Sequence, residues 1–284
     1  MPALIVNADD FGRSAGINRG ILEAHARGIV TSTTVMINYE DAPAGLEQAL
    51  EEAPDLRLGL HLTLTSGRPV SPPETVPSLV DADGHFFPVE KLSEAASCWT
   101  ADDLRRELQA QVDRFVALVG RPPTHLDSHH HATYLHPEAL RVMLALAAAY
   151  EFPIRNPGAA LEPVGTADRV KQMLVGVSDE QAYHLAESLH HVLGESQGVR
   201  WPDHLETRFF GPRAILGELL VILTTLPADG VTELMCHPGY AAGLVGSSYV
   251  AERERELHAL THASTHEVIS AENIRLMTFA ELTD

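Results

Sequence analysis

Short, continuously apolar segments alternate with helical segments along this chain, and this rhythm constrains the fold more than any other feature. Residues 3–8 are apolar almost without interruption, as expected for a strand that is buried on both faces. Residues 15–28 and 42–53 show helical spacing, and residues 29–37 and 56–64 are strand-like. The resulting order of strand, helix, strand, helix, strand predicts a parallel sheet with crossover helices.

The same alternation continues to the end of the chain. Further helices are predicted at 101–119 with Thr100 as N-cap, and at 137–150, 166–175, 178–193, 212–225 and 249–262. Further strands are predicted at 125–128, from 154, at 233–236 and at 274–278. These elements predict an α/β fold with an irregular, incomplete (β/α) barrel. No Gly-x-Gly-x-x-Gly follows any strand, which argues against a dinucleotide-binding fold.

The organisation of the chain favours one domain spanning residues 1–284. Residues 66–100 are rich in Pro, Ser and Asp, with a hairpin predicted around Asp83-Gly84. Long irregular segments inside a compact domain often cover an active site, so this segment is predicted to be a loop or lid.

Composition excludes several classes of partner. The formal net charge of −19 repels nucleic acid and anionic membranes, and no basic cluster offsets it. No run of about 18 apolar residues predicts a membrane span, and the first residues lack the basic region of a secretory signal. The two cysteines form no recognisable pattern. A reduced, cytoplasmic protein is therefore expected.

Two of the predicted strands end in acidic or histidine residues. Asp9 and Asp10 follow the first strand directly, and His237 closes the strand at 233–236 before a Pro-Gly pair. Asp10 or Ser14 could instead serve only as the N-cap of the helix that begins at 15. A cap explains one acidic residue, however, and two are present.

Histidines mark two further strand ends. His61 interrupts an apolar strand, which on its own is more typical of a hydrogen-bonded histidine in the core than of a site residue. His125, His129, His130 and His131 lie within seven residues after the next strand, together with an aspartate. A solvated histidine loop would be the alternative to a metal site here.

Together the four strand ends predict a catalytic site, because catalytic groups in (β/α) barrels come from the carboxyl ends of several strands. One aspartate and two histidines make a ligand set with open positions, suited to Zn²⁺, Fe²⁺, Co²⁺, Mn²⁺ or Mg²⁺. A second carboxylate can act as general base on water, and a further histidine can protonate a leaving amine. The expected chemistry is metal-assisted acyl transfer to water.

Five segments of the chain resemble the YdjC-like carbohydrate deacetylases. They are residues 4–12, 28–34, 59–63, 124–131 and 233–239. The resemblance implies a NodB-like, irregular (β/α) barrel and one divalent metal ion, usually Mg²⁺, with Zn²⁺, Co²⁺ and Mn²⁺ as alternatives. Residues 157–215 match the family least and are predicted to be a variable, insertion-like region.

The resemblance also implies roles for individual residues. Asp10, His61 and His129 match the metal ligands of the family. Asp9 matches the general base, and His237 matches the general acid.

A second group of residues is implied to contact substrate or to support the ligands. Asp127 would fix the tautomer of a ligand histidine. Arg155 would orient the base or contact substrate, and His131 lies in the histidine triplet. His204 and Phe209 resemble a pocket segment of the family only loosely.

The expected reaction is removal of N-acetyl groups from small N-acetylated sugars, such as chitooligosaccharides of the diacetylchitobiose type. A homodimer is a family-level expectation. One alternative is a metal-dependent phosphoesterase on a similar barrel, for which Arg13, Arg68 and Arg155 would bind phosphate. The other alternative is a non-catalytic sugar-binding protein.

Overall fold

The computed structural model of the chain describes residues 1–155, 158, 167–168, 170–171, 177–196, 198–244 and 246–282. The chain divides into two compact units. The first comprises Met1–Gly59 and Trp201–Asp284, and the second comprises Leu60–Arg200. The single domain predicted for residues 1–284 stays a prediction.

Seven strands are present in the described residues. They are β1 (Ala3–Phe11), β2 (Ser32–Val35), β3 (Arg57–Leu62), β4 (Leu126–Ser128), β5 (His204–Glu206), β6 (Val231–Cys236) and β7 (Arg275–Met277). In the first unit, β1 pairs in parallel with β2, β6 and β7, and β5 pairs in parallel with β6. β3 begins in this unit, where the Arg57 N–H donates to the Thr31 carbonyl.

In the second unit, β3 continues and pairs in parallel with β4. The strand order is therefore β4-β3-β2-β1-β6-β5. The predicted α/β class, with a parallel sheet in the order of an incomplete (β/α) barrel, is confirmed. All nine residues of β1 are buried, which explains why this strand shows no alternation of apolar and polar residues.

Helices separate most of the strands. They are α1 (Ala15–Ala26), α2 (Ala42–Glu52), α3 (Leu92–Ala96), α4 (Ala101–Val119), α5 (Pro137–Tyr150), α6 (Asp179–Glu195), α7 (Leu216–Thr224), α8 (Ala251–Leu260) and α9 (Ala263–Ala271). The Thr100 hydroxyl accepts from the Asp103 N–H and caps α4, as predicted. Within the described ranges, no helix is long and apolar enough to cross a membrane.

Four elements differ from the sequence prediction. One is the five-residue helix α3, which lies in the segment predicted to be a loop. The strand expected from Ile154 is a single bridge to Leu126. β5 and α9 were not predicted, because β5 has only three residues and α9 follows α8 after a two-residue break at Thr261-His262. The helix expected over 166–175 lies largely outside the described residues.

The predicted loop over residues 66–100 is held on α4 by two carboxylates of that helix. Glu107, which is fully buried, accepts from the Val70 and Ser71 N–H groups at 2.9 Å each. Asp103 accepts from the N–H and hydroxyl of Ser78. Burial raises the pKa of Glu107 above its ordinary value. The segment is thus fixed along one edge, and its role as a lid stays a prediction.

Two glycines of α1 allow the helix to approach the backbone that follows β6. A Cβ added at Gly16 would lie 2.4 Å from the Tyr240 carbonyl oxygen, and one at Gly20 would lie 2.5 Å from the Gly239 Cα. The Tyr240 N–H also donates to the Gly16 carbonyl. Because this backbone carries His237, the small residues of α1 help to position a predicted site residue.

We expect Gly20→Ala to lower the free energy of unfolding by about 2 kcal/mol. The added methyl group would clash with the backbone of Gly239, which cannot shift without moving its neighbours. Gly217→Ala in α7 is the matched control, because nothing lies within 4 Å of its added Cβ. It should raise stability by about 0.5–1 kcal/mol through helix propensity alone. Urea denaturation followed by circular dichroism measures both. Equal effects of the two substitutions would contradict the close contact at Gly20.

Candidate active site

A β-bulge lies at the end of β1. Ala8 pairs with Thr33 and Phe11 with Val35, so β1 has one more residue than β2 between the two pairs. Asp10 takes up this irregularity with a left-handed φ of 72°. Such a conformation is uncommon outside glycine, and bulges of this kind turn a side chain away from its regular direction. The side chains of Asp9 and Asp10 therefore do not alternate between the two faces of the sheet as successive residues of a regular strand do.

Both aspartates are buried and lie beside the segment that follows β6. Asp9 Oδ2 is 3.8 Å from His237 Nε2, and Asp9 Oδ1 accepts from the Asn7 side-chain amide. Asp10 Oδ2 pairs with Arg253 Nη2 at 2.5 Å. The N-cap of α1 is Ser14, whose hydroxyl accepts from a main-chain N–H of the first turn. Helix capping therefore does not account for Asp10.

Three residues that the sequence analysis did not identify support His237 and Asp10. Arg253 also donates to the carbonyls of His237 and Tyr249, and its side chain is buried. The Glu256 carboxylate accepts from the His237 N–H and from the Tyr249 hydroxyl. Burial raises the pKa of Glu256 to about 8, and it also raises the pKa of Tyr249.

One signal in the sequence could have revealed this support. Arg253 and Glu256 lie on the same helical face as Leu257 and Leu260, and all four are buried. A charged pair on the apolar face of a helix must be paired with other buried groups, because an isolated buried charge is very unfavourable. The sequence pattern predicts only a helix over 249–262 and assigns these two residues no role.

In the second unit, His61 and Asp127 are neighbours across β3 and β4. They occupy matching positions in the parallel register, and His61 Nδ1 donates to Asp127 Oδ1 at 2.6 Å. Asp127 Oδ2 pairs with Arg155 Nη1 at 3.1 Å, and both side chains are fully buried. The contact expected between Asp127 and a predicted ligand histidine is thus present.

The histidine triplet forms a tight turn after β4. His129 is buried, and its Nδ1 lies 3.2 Å from His61 Nε2. His130 and His131 have left-handed φ values of 52° and 54°. His130 is exposed and bonds to the Thr65 hydroxyl, whereas His131 is half-buried beside Tyr134. His129 is thus the residue of the triplet whose ring nitrogen faces the other predicted ligand of this unit.

Of the two predicted substrate residues His204 and Phe209, His204 lies at the opposite end of the sheet from His237. His204 begins β5 and is in register with Thr232 at the amino end of β6, whereas His237 follows the carboxyl end. Phe209 is fully buried. Their assignment as substrate contacts stays a prediction.

Asp10 in the first unit and His61 and His129 in the second are buried, and each side chain can offer one ligand atom to a metal ion. His61 has the arrangement that metal-bound histidines commonly show, with one ring nitrogen fixed by a carboxylate. Its other nitrogen faces His129 at 3.2 Å. Two nitrogens bound to one ion at about 2.1 Å lie about 3.0–3.4 Å apart for bond angles of about 90–109°. The two imidazoles of the second unit therefore fit one divalent cation.

We expect Asp127→Asn to lower the free energy of unfolding by about 3 kcal/mol, because it removes one charge of a fully buried ion pair with Arg155. Asp102→Asn is the matched control. Asp102 pairs with Arg105 at 2.6 Å, but both side chains are largely exposed, so the change should stay within about 0.5 kcal/mol. Chemical denaturation at neutral pH measures both. A loss at Asp127 as small as that at Asp102 would contradict a structural role for the pair.

Comparison with known proteins agrees with the resemblance inferred from the sequence. Residues 3–271 match the model of the family described as YdjC-like protein. A Brevibacillus brevis protein named carbohydrate deacetylase is 37% identical over 98% of this chain and 99% of its own length. A Proteus mirabilis protein named chitooligosaccharide deacetylase is 35% identical over 98% of each chain.

A solved structure shares the whole fold. It is the crystal structure of an Enterococcus faecalis V583 protein described as a candidate cellobiose-phosphate cleavage protein. The two are 32% identical, with a TM-score of 0.83 over 100% of this chain and 99% of that one. On the family match, the relatives and this structure together, the chain belongs to the YdjC-like family.

Proposed function

We propose that this protein is a metal-dependent carbohydrate deacetylase that removes N-acetyl groups from small N-acetylated sugars of the chitooligosaccharide type. The observation that carries the proposal is the pairing of Asp9 with His237, 3.8 Å apart at the ends of β1 and β6. A buried carboxylate beside an imidazole supplies both groups that hydrolysis of an amide requires, a base and an acid. The names of the Brevibacillus brevis and Proteus mirabilis relatives support the substrate class.

Asp9 and His237 divide the proton transfers between them. Asp9 takes the proton of the water molecule whose oxygen bonds to the acetamide carbon. His237 gives its proton to the amine nitrogen as the carbon–nitrogen bond breaks. The products are acetate and the free amino sugar. Glu256 holds the backbone of His237 through its N–H, which fixes the ring near Asp9.

Asp10, His61 and His129 are the proposed ligands of one divalent cation. When bound, such an ion lowers the pKa of water and polarises a carbonyl oxygen. Arg253 occupies Oδ2 of Asp10, and a carboxylate has a second oxygen that can serve as ligand. Two imidazoles suit Zn²⁺, Co²⁺ or Mn²⁺ better than Mg²⁺, which prefers oxygen ligands. Magnesium, a cytoplasmic location and a homodimer stay predictions from the sequence.

We expect the wild-type protein to release acetate from N-acetylglucosamine oligomers, and Asp9→Asn to lower kcat by about 100-fold or more through loss of the base. Asp102→Asn, the same substitution at an exposed position, should leave kcat unchanged. Acetate release measured by mass spectrometry, beside a panel of phosphoesters, is the assay. Phosphoester hydrolysis without acetate release would refute the proposal in favour of a phosphoesterase. Full activity of Asp9→Asn would refute the role of Asp9.

We expect chelation to abolish acetate release and re-addition of a divalent ion to restore it, with Zn²⁺, Co²⁺ or Mn²⁺ more effective than Mg²⁺. His129→Ala should lose bound metal, measured by inductively coupled plasma mass spectrometry. Asp9→Asn should retain it, since Asp9 is not a proposed ligand. His184→Ala is the control, because this histidine lies exposed on α6. Indifference to chelator, or equal metal content in all variants, would contradict the metal site.

A further inference from the structure

An aromatic side chain lies exposed against the proposed acid. Phe210 is 46% exposed, although it is a large apolar residue. Three aromatic side chains are exposed in the described part of the chain, at positions 150, 183 and 210. Of these, Phe210 is the one whose ring packs against a proposed catalytic residue: its centroid is 5.4 Å from that of His237, at an interplanar angle of 64°.

Tyr249 fixes the orientation of Phe210. The two rings are stacked, with centroids 4.5 Å apart and planes 7° from parallel. The next residue, Gly211, donates its N–H to the Tyr249 hydroxyl at 3.2 Å, so the segment is attached to Tyr249 at two points. Tyr249 in turn donates to the buried Glu256. Phe210 is therefore a positioned ring that stacks on Tyr249 and is still 46% exposed.

The chemistry of the proposed substrate matches such a surface. The nitrogen that His237 protonates is bonded directly to a carbon of the sugar ring, so that ring must lie within a few ångströms of His237 when the bond breaks. A pyranose ring presents C–H groups on its faces, and these are attracted to the negative face of an aromatic ring. Phe210 offers no hydrogen-bonding group, so it would recognise the ring itself and none of its substituents.

We propose that Phe210, stacked on Tyr249, is the binding platform for the pyranose ring that carries the acetamido group. This inference rests on the proposed deacetylase function and adds a residue that determines substrate class. It implies that acetamides without a sugar ring are bound weakly. Phe210 is a binding residue here and takes no part in proton transfer.

The test compares Phe210→Ala with Phe210→Trp, using diacetylchitobiose as substrate. Phe210→Ala should raise KM about tenfold with kcat changed less than about twofold, and Phe210→Trp should restore KM by supplying another aromatic face. Val221→Ala, which truncates an exposed apolar residue of the same unit, is the control for folding and should leave KM unchanged. Thermal unfolding of all three variants checks that the fold is intact.

Calorimetric titration of diacetylchitobiose into the wild-type protein and Phe210→Ala separates this inference from the proposed function. A Kd about tenfold weaker in Phe210→Ala supports the platform whether or not turnover occurs. An unchanged Kd and KM in Phe210→Ala overturns it, even if acetate is released normally. Failure of Phe210→Trp to restore binding also overturns it. Sugar binding without acetate release would contradict the deacetylase function alone.

Discussion

One buried guanidinium holds the end of β1 and the segment after β6 together. Arg253 bonds to the Asp10 carboxylate and to the carbonyls of His237 and Tyr249. A buried cation is stable only when its hydrogen-bonding groups are satisfied, so each of these partners is held in one geometry. This one side chain of α8 thus contacts the proposed acid, one proposed metal ligand and Tyr249, on which Phe210 stacks.

The second unit uses the same physical device independently. Asp127 is buried between His61 and Arg155, and its two oxygens bond to different partners. In each unit a buried arginine–aspartate pair lies next to a histidine of the predicted site. Such pairs contribute little net stability, because desolvation offsets the attraction between the charges. Each pair instead fixes the orientation of the groups bonded to it, because these groups have few alternative hydrogen-bonding partners in a buried environment.

Much of the fold followed from the sequence. The apolar strand at 3–8 and its successors predicted the parallel sheet, because strands buried on both faces show no alternation. Polar residues at strand ends then identified Asp9, His61 and His237 as candidates. The contact of His61 with Asp127 depends on strand register, which places the two residues side by side and which the sequence pattern alone does not determine.

The sequence did not identify the residues that support the site, for a different reason. Arg253 and Glu256 lie about 240 residues from β1 in the chain, in a helix whose charged composition is typical of a solvated surface. Phe210 follows a buried phenylalanine in an irregular segment, so neither periodicity nor spacing tells which of the two is exposed. Local sequence predicts elements well, but it does not predict which distant side chain pairs with a buried charge.

The three left-handed residues near the proposed ligands carry a consequence for the evolution of this chain. Asp10, His130 and His131 each adopt a backbone conformation that costs roughly 1 kcal/mol or more outside glycine. Glycine at position 130 or 131 would relieve this strain but would remove an imidazole, and glycine at position 10 would also leave Arg253 without its buried carboxylate. A more thermostable descendant of this protein would therefore gain its stability from changes in its helices and loops. These three residues would keep their strained backbone conformations.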